Sequence, residues 1–306
     1  MTTTRERAPG AARPAPARLR PSVGDVIERR GLAVLRVLVI AATVLVSAGP
    51  LLYGVLLSVQ PLSNVIADPL DVIPDAFDFS AYPTALGAEE DGGFGLGRFM
   101  RNSLWVALGT TALAIAFSVL GAYAAVRLRF FGRETVNGMF LGVYLLPGIV
   151  LAVPLFVLMS RIGLTGSLFG LVLIYLAQTV PVALYMLRNY FIAVPASVEE
   201  AAMIDGCNRM QLIVRVVLPM AMPGIVATGL YVFMIAWNEY LFALLFLVQD
   251  RERWTVALGI AQLTEFSVPA TVLMAGSIAI TVPIVAGFFL AQRMLISGLT
   301  VGAEKG

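Results

Sequence analysis

The sequence contains no histidine and only one cysteine, Cys207, and these two scarcities exclude several kinds of site. Without histidine there is no His-ligated metal, no His general base and no His proton relay. A single cysteine cannot form an internal disulfide. No GxxxxGK[ST] pattern occurs, so the chain is not expected to bind or hydrolyse ATP. We therefore expect no catalytic site, no metal site, no cofactor and no nucleic-acid partner.

Charge is also scarce. Charged residues make up 13% of the chain and hydrophobic residues 59%, with a mean hydropathy of +0.87. A soluble domain has about 25% charged and about 45–50% apolar residues. The apolar excess falls in blocks as long as the roughly 20 residues that cross a bilayer as a helix, or longer. This pattern predicts an all-α, polytopic membrane protein.

The apolar blocks predict six transmembrane helices, and the fifth can extend in broken form to residue 247. The predicted spans cover residues 37–59, 102–126, 136–160, 167–187, 220–242 and 268–290. We expect a basic, disordered tail at 1–36, a transmembrane domain at 37–293 and a short tail at 294–306. Within the domain, a polar loop is predicted at 188–219, and an outer loop at 250–265.

The distribution of basic residues predicts the orientation. In this layout, 16 of the 21 basic residues fall in the two tails and in the loops after spans two and four. Short loops rich in arginine stay on the cytoplasmic side of a membrane. Both termini and the loop at 188–219 are therefore expected in the cytoplasm.

The loop at 188–219 has the local signals of two short helices joined by a turn. Ser197 with Glu200 three residues later fits a capping box, which predicts a helix starting at Val198. Gly206 stands where that helix must end, because glycine adopts the left-handed conformation without steric cost. Asn208 with Gln211 repeats the start signal.

Part of this loop resembles the EAA loop of bacterial ABC importer permeases. The matching residues are Glu200-Ala201-Ala202, Gly206 and Val216-Val217-Leu218-Pro219. In that family the loop docks onto the ATPase subunit from the cytoplasmic side. The alternative is that Glu200 only caps a helix and Gly206 only makes a turn. The resemblance implies a set of ATPase-coupling residues: Glu199, Glu200, Ala201, Ala202, Asp205, Gly206, Leu218 and Pro219.

Other segments resemble carbohydrate importer permeases, namely the stretch starting at Asn102 and the Ala236-Trp237-Asn238-Glu239-Tyr240 run. The ending from Gly298 resembles the C-terminus of the maltose-type "G" permeases of that class. The resemblance implies a bacterial inner-membrane protein that forms half of a sugar pathway. Its implied partners are a second homologous permease, two ATPase subunits, an extracytoplasmic sugar-binding (lipo)protein and membrane lipid. The alternatives are a permease for a polyamine, peptide or glycerol phosphate, or a self-sufficient secondary transporter.

Polar residues inside apolar blocks are the candidates for the substrate pathway. A charge deep in a bilayer costs about 2.5–3.5 kcal/mol, so such residues face protein or water. Asn238 and Glu239 in the fifth block either line the outer mouth of a pathway or make contacts at a subunit interface. Gln178 and Thr179 in the fourth block either bind a sugar hydroxyl or satisfy backbone groups beside Pro181.

Overall fold

The computed structural model describes residues 23–68, 76–264 and 268–303, and this part of the chain contains helices and turns but no strand. The all-α prediction is therefore confirmed for the described residues. The chain divides into two compact units, residues 1–52 and 53–306, which are described separately.

Most of the first unit is helix α1 (Val23–Ser58), which contains Pro50. The prediction of disorder over residues 1–36 is wrong for residues 23–36, which are helical, and residues 1–22 lie outside the described part. The apolar run after Arg36 forms a helix, and this helix continues towards the N-terminus through residues 23–36. Adding residues to an existing helix avoids the cost of nucleation. The stretch Arg30–Ser58 contains an 18-residue window with a mean hydropathy of 2.3 and is long enough to cross a bilayer.

The second unit begins with short helices and then forms its first long one. Helices α2 (Leu62–Ala67) and α3 (Ala81–Leu86) precede α4 (Leu96–Arg127). Helix α4 starts six residues before the predicted second span and ends one residue after it. A 32-residue helix is about 48 Å long, which exceeds the hydrocarbon thickness of a bilayer.

The predicted third span is broken in the structure. It divides into α5 (Arg133–Tyr144) and α6 (Gly148–Arg161). The break lies at Pro147, because proline has no N–H to donate and its ring disfavours a helical residue before it. Helix α6 has 14 residues and is about 21 Å long, too short to cross a bilayer of about 30 Å.

Helix α7 (Leu168–Ala193) leads into the predicted loop, which is mostly helical. The loop contains α8 (Ala196–Ile204), α9 (Arg209–Leu212), a π-helical stretch at Ile213–Val217 and α10 (Leu218–Met220). Ala221 then separates these helices from α11 (Met222–Asn238), and the chain bends there by 81°.

The remaining helices correct one prediction. Helix α12 (Leu241–Leu247) follows α11 after a short break, as the predicted broken extension required. Residues 250–265 were predicted as an outer loop, but they contain α13 (Val256–Leu263). Its apolar side chains Val256, Leu258 and Leu263 are buried, so packing rather than loop composition decides this segment. The last helix is α14 (Ala270–Ala303).

Four described helical stretches are long and apolar enough to cross a membrane, and the bent pair Arg209–Met220 and Met222–Asn238 makes a fifth if counted as one span. The four are Arg30–Ser58, Leu96–Arg127, Leu168–Ala193 and Ala270–Leu295. The number six is therefore not confirmed, whereas a polytopic membrane protein is.

The second unit has two separate hydrophobic clusters of buried side chains. The larger joins α4, α7, α11, α13 and α14, with Phe99 and Tyr175 among its fully buried side chains. The smaller lies where α4 ends and α8 to α10 begin, and includes Tyr123, Phe191 and Leu212. The segment after α7 is thus packed onto the bundle and is not a free loop.

Replacing Gly259 in α13 by alanine tests the packing of this unexpected helix. An added Cβ would lie 2.3 Å from Cδ2 of Phe99, a ring that is 1% exposed and cannot move aside. We expect Gly259→Ala to destabilise the protein by about 1–3 kcal/mol, the usual cost of overpacking. The measurement is the thermal unfolding midpoint in mild detergent.

Gly109→Ala is the control, since its Cβ would lie at an ordinary 3.7 Å from Val172. We expect it to leave the midpoint unchanged or to raise it slightly, because alanine favours a helix more than glycine does. Equal midpoints for both variants would show that α13 does not pack on α4 as described.

Candidate functional site

Helices α7 and α8 meet at a tight elbow formed by Val194 and Pro195. Pro195 has φ −63° and precedes the first residue of α8, Ala196. The predicted capping box of Ser197 and Glu200 is wrong, because α8 begins earlier and Pro195 has no side chain that can cap it. Ser197 instead lies inside the first turn of α8, one residue after its start, so it cannot act as the N-cap.

Arg127, the last residue of α4, holds this elbow. Its Nε donates to Oε1 of Glu199 at 2.7 Å. Its Nη2 donates to the carbonyl oxygens of Phe191 at 3.2 Å and Val194 at 2.7 Å. The last carbonyls of a helix have no partner within it, and a cation near them is favourable. One guanidinium therefore satisfies the end of α7, the elbow and the first turn of α8.

Glu199 is the buried acid of this segment. It is 5% exposed, and its Oε2 also accepts a 3.4 Å hydrogen bond from the hydroxyl of Tyr123. Its neighbour Glu200 is exposed. Glu199 therefore faces the bundle, where Arg127 and Tyr123 hold it, while Glu200 faces outward.

The turn after α8 follows the local prediction. Gly206 has φ +87°, a left-handed conformation that costs other residues about 1–2 kcal/mol. The N–H of Cys207 bonds to the carbonyl of Ala202, and the N–H of Gly206 to that of Met203. This is the Schellman arrangement of a helix end, which fixes the angle between α8 and α9.

The start of α9 confirms the second predicted cap. The Oδ1 atom of Asn208 accepts from the N–H of Gln211 at 2.9 Å, and Oε1 of Gln211 accepts from the N–H of Asn208 at 3.0 Å. Further along, Leu218 is half-buried and Pro219 is exposed.

The end of α8, the turn after it and the start of α9 (residues 200–210, called the α8–α9 tip) present apolar side chains among charged ones. Ile204 is 87% exposed, Met210 is 58% exposed and Met203 is 47% exposed. These three residues were not among those predicted for coupling. Of the predicted residues near them, Glu200, Ala201, Asp205 and Gly206 are exposed, whereas Ala202 packs on the smaller cluster. Large exposed apolar side chains with polar neighbours are typical of a protein-binding surface.

A second polar site lies where α11 ends, about 25 Å of helix away from Met222. Glu239 occupies the break before α12. Its carboxylate accepts the hydroxyl of Tyr175 at 2.6 Å and the N–H groups of Phe242 at 3.0 Å and Ala243 at 3.3 Å. A broken helix in a membrane needs such partners for its free backbone groups. Glu239 is therefore a helix cap as well as a candidate pathway residue.

Asn238 lies beside a cavity of about 370 Å³ between α11, α13 and α14. Its Nδ2 donates to the carbonyl of Met234 at 2.8 Å, and the side chain is exposed. The hydroxyl of Thr281, which also lines the cavity, donates to the carbonyl of Ser277. The rest of the lining is apolar or aromatic: Trp237, Tyr240, Val256, Ala257, Ile260, Ala261, Ile280 and Ile284.

Gln178 and Thr179 differ in their surroundings. Thr179 is fully buried, and its hydroxyl donates to the carbonyl of Tyr175 at 2.7 Å. This geometry agrees with the predicted alternative, in which it satisfies backbone groups, and leaves no free hydroxyl for a ligand to accept from. Gln178 is half-buried, with Nε2 beside Gly148. The structure does not bring these two residues together with Asn238 through any hydrogen bond among the described residues.

Sequence reasoning missed the roles of Arg127 and Tyr175. A basic residue in the last turn of a helix is a local signal for a C-terminal cap, and Arg127 has that signal. Its partner Glu199 lies 72 residues later, however, and Tyr175 lies 64 residues from Glu239. Pairs so distant in sequence are defined only by how the helices pack.

Asn102, part of a motif singled out in the sequence, lies at the same end of the bundle as Glu239. Its Nδ2 donates to the carbonyls of Glu252 at 2.8 Å and Trp254 at 3.0 Å. Ser103 accepts the N–H of Val256 at 2.7 Å. These bonds fix the turn before α13 to the start of α4.

Residues 117–300 match the model of a protein family described as binding-protein-dependent transport system inner membrane component. The matched range runs from α4 to α14 and includes both candidate sites. It thus covers most of the chain after the first unit.

Individual relatives extend this match. The chain is similar to the trehalose/maltose transport system permease protein MalG of Thermococcus litoralis, with 38% identity over 68% of this chain and 75% of the relative. It is also similar to the trehalose transport system permease protein SugB of Mycobacterium tuberculosis, with 34% identity over 90% and 97%. A crystal structure of a bacterial ABC transporter involved in the import of the acidic polysaccharide alginate shares the fold. Its TM-score is 0.76 at 22% identity, over 89% of this chain and 98% of that one.

Replacing Tyr175 by phenylalanine tests the tie between α7 and the break at Glu239. The variant loses a hydrogen bond to a carboxylate, a type worth about 1.5–3 kcal/mol. We expect a lower thermal unfolding midpoint in mild detergent.

Tyr185→Phe is the matched control on the same helix, since Tyr185 is 39% exposed. Surface substitutions usually change stability by less than about 0.5 kcal/mol. If Tyr175→Phe changed the midpoint no more than this control does, the bond to Glu239 would not stabilise the break.

Proposed function

Because the chain belongs to the family of binding-protein-dependent transport system inner membrane components, we propose that it is a permease subunit of an ATP-driven sugar importer. In this role it forms half of the translocation pathway. The single observation that carries the proposal is the α8–α9 tip, an exposed apolar surface that Glu199 attaches to the end of α4 through its bonds to Arg127 and Tyr123. Such a surface suits a subunit that receives force from a partner.

Sugars are the proposed substrate class. This chain aligns with most of the length of two relatives whose names contain trehalose, and one of these names also contains maltose. The cavity beside Asn238 offers aromatic rings and an amide, which suit the apolar faces and hydroxyl groups of a sugar. We propose Asn238, Glu239 and Gln178 as residues near the pathway, with Glu239 also capping α12.

The proposed partners follow from the family. They are a second homologous permease, two ATPase subunits and an extracytoplasmic sugar-binding protein, in the inner membrane of a bacterium. ATP hydrolysis belongs to the ATPase subunits, since this sequence has no phosphate-binding loop. We propose six spans with both termini and the α8 segment in the cytoplasm, an orientation that the placement of the basic residues supports.

The coupling residues divide into two groups by exposure. Glu200, Ala201, Asp205, Gly206 and Pro219 are exposed and are proposed to contact the ATPase or shape the contact surface. A second group, Glu199, Ala202 and Leu218, is buried or half-buried and is proposed to hold the surface in place.

A cysteine at Ile204, in a Cys207→Ser background, tests the docking surface. Ile204 is 87% exposed and lies at the end of α8, so its side chain is expected to enter the contact. We expect a short bifunctional thiol–amine reagent, applied to native membranes, to link this position to a protein with a phosphate-binding loop. The measurement is purification of the chain followed by mass spectrometry of the linked product.

Phe131→Cys is the matched control, since this fully exposed residue lies in the other predicted cytoplasmic loop. It is expected to react with a simple maleimide without forming the product. Recovery of this chain without an ATPase, under conditions that preserve other membrane complexes, would contradict the importer.

Gly206→Val tests the turn between α8 and α9. The left-handed conformation at φ +87° is strained for a β-branched residue, so the angle of the tip should change. We expect the protein to insert normally while uptake of radiolabelled trehalose, the probe suggested by the relatives, falls about tenfold or more.

Gly206→Asn is the control, because asparagine tolerates the left-handed conformation better than other residues do. It should retain most of the uptake. Equal uptake by Gly206→Val and the parent protein would show that the turn geometry is not needed.

A further inference from the structure

We propose that Arg127 is the positioning residue through which movement of α8 is transmitted to α4 and α7. This inference rests on the proposed function, and it identifies the elbow of Val194 and Pro195, in addition to the Gly206 turn, as a joint that must stay rigid. The guanidinium contacts all three helices at that joint, and the ion pair to Glu199 ties α8 to it.

The elbow itself has little to keep it rigid. Only Val194 and Pro195 lie between the last residue of α7 and the first of α8. The N–H of Val194 bonds to Phe191, and the N–H of Val198 bonds to Pro195, so each bond stays on its own side of the joint. Arg127 bridges the joint, since its donors reach carbonyl oxygens on the α7 side and a carboxylate on the α8 side.

The three bonds from Arg127 to Phe191, Val194 and Glu199, called the clamp, have a chemistry that suits a rigid connection. The guanidinium is planar and always charged, so its donors point in fixed directions. Arg127 is 21% exposed at its side chain and Glu199 is 7% exposed, which shields the pair from water and salt. Arg133 closes the same end of α4 by donating to the carbonyls of Ala125 and Val126, both at 2.7 Å. The residue that carries the clamp is thus on a helix end that is itself fixed.

Without the pair to Glu199, α8 keeps its apolar packing on the smaller cluster but loses its charged tie to α4, so we expect it to move at the elbow while α7 stays still. An ATPase docked on Ile204 would then move the tip without moving the bundle. We therefore expect the ion pair to be needed for transmitting movement from the ATPase to the helix bundle. Assembly of the complex should depend on it less, as long as Arg127 keeps its bonds to the carbonyls of Phe191 and Val194.

Glu199→Ala is the variant that separates these effects. It removes the tie to α8 and leaves the bonds from Arg127 to Phe191 and Val194 in place. Arg127→Met removes all three bonds and serves as the stronger, riskier variant. Arg129→Met is the control, because Arg129 is exposed and makes no hydrogen bond or ion pair with the described residues.

The readout is the reaction of a cysteine at Asn238 with a membrane-impermeant maleimide, in complexes purified from native membranes with Cys207 replaced by serine. The rate is compared without nucleotide and with ATP plus vanadate, which traps the closed ATPase. No knowledge of the transported sugar is needed. ATP hydrolysis and the yield of assembled complex are measured on the same samples.

We expect the trapped state to change the labelling rate about fivefold or more in the parent and in Arg129→Met. In Glu199→Ala the complex should assemble, hydrolyse ATP and trap vanadate, while the labelling rate changes less than about twofold. An unchanged response in Glu199→Ala would overturn the proposal. The proposal would also be overturned if the change in labelling rate fell only in proportion to a lower yield of assembled complex.

The test separates this inference from the function on which it rests. If the parent chain purifies without an ATPase, the importer itself is contradicted. If the parent responds to vanadate and Glu199→Ala responds equally, the importer stands and the clamp is not the transmitting joint.

Discussion

The charged contact between Arg127 and the α7–α8 elbow is the interaction on which the rest of the structure depends. A helix that ends near a membrane surface leaves carbonyl groups without partners, and the chain after it is free to take many directions. Arg127 donates to the carbonyls of Phe191 and Val194 and provides a counter-charge for Glu199. The direction of α8, the position of its turn and the exposure of Ile204 all follow from that attachment.

At the other end of the second unit, a similar problem is solved by an acid. The interruption between α11 and α12 frees N–H groups that cannot remain without partners in an apolar environment. Glu239 accepts from two of them and from Tyr175, so one carboxylate stabilises the break and joins it to α7. Helix α7 therefore carries a charged contact near each end, at Tyr175 and at the elbow.

Local signals predicted those parts of the site in which the partners are close in sequence. Gly206 and the pair Asn208 and Gln211 behave as predicted, because each motif closes within a few residues. Ser197 shows the limit of the same reasoning, since Pro195 starts the helix earlier. The break at Pro147 and the buried helix at Val256–Leu263 were missed, because apolar composition does not distinguish a spanning helix from a short packed one.

The sequence by itself determined the class of protein and the location of its polar interruption. Length of apolar runs, placement of arginine and the Glu200 to Pro219 pattern are properties of the chain alone, and bilayer thickness and helix geometry convert them into structure. Only the tertiary structure decided that Glu199 is buried while Glu200 is exposed, that Arg127 is the partner, and that Glu239 caps a helix. The physical reason is that buried charges need partners, and here helix packing supplies those partners from 64 to 72 residues away in sequence.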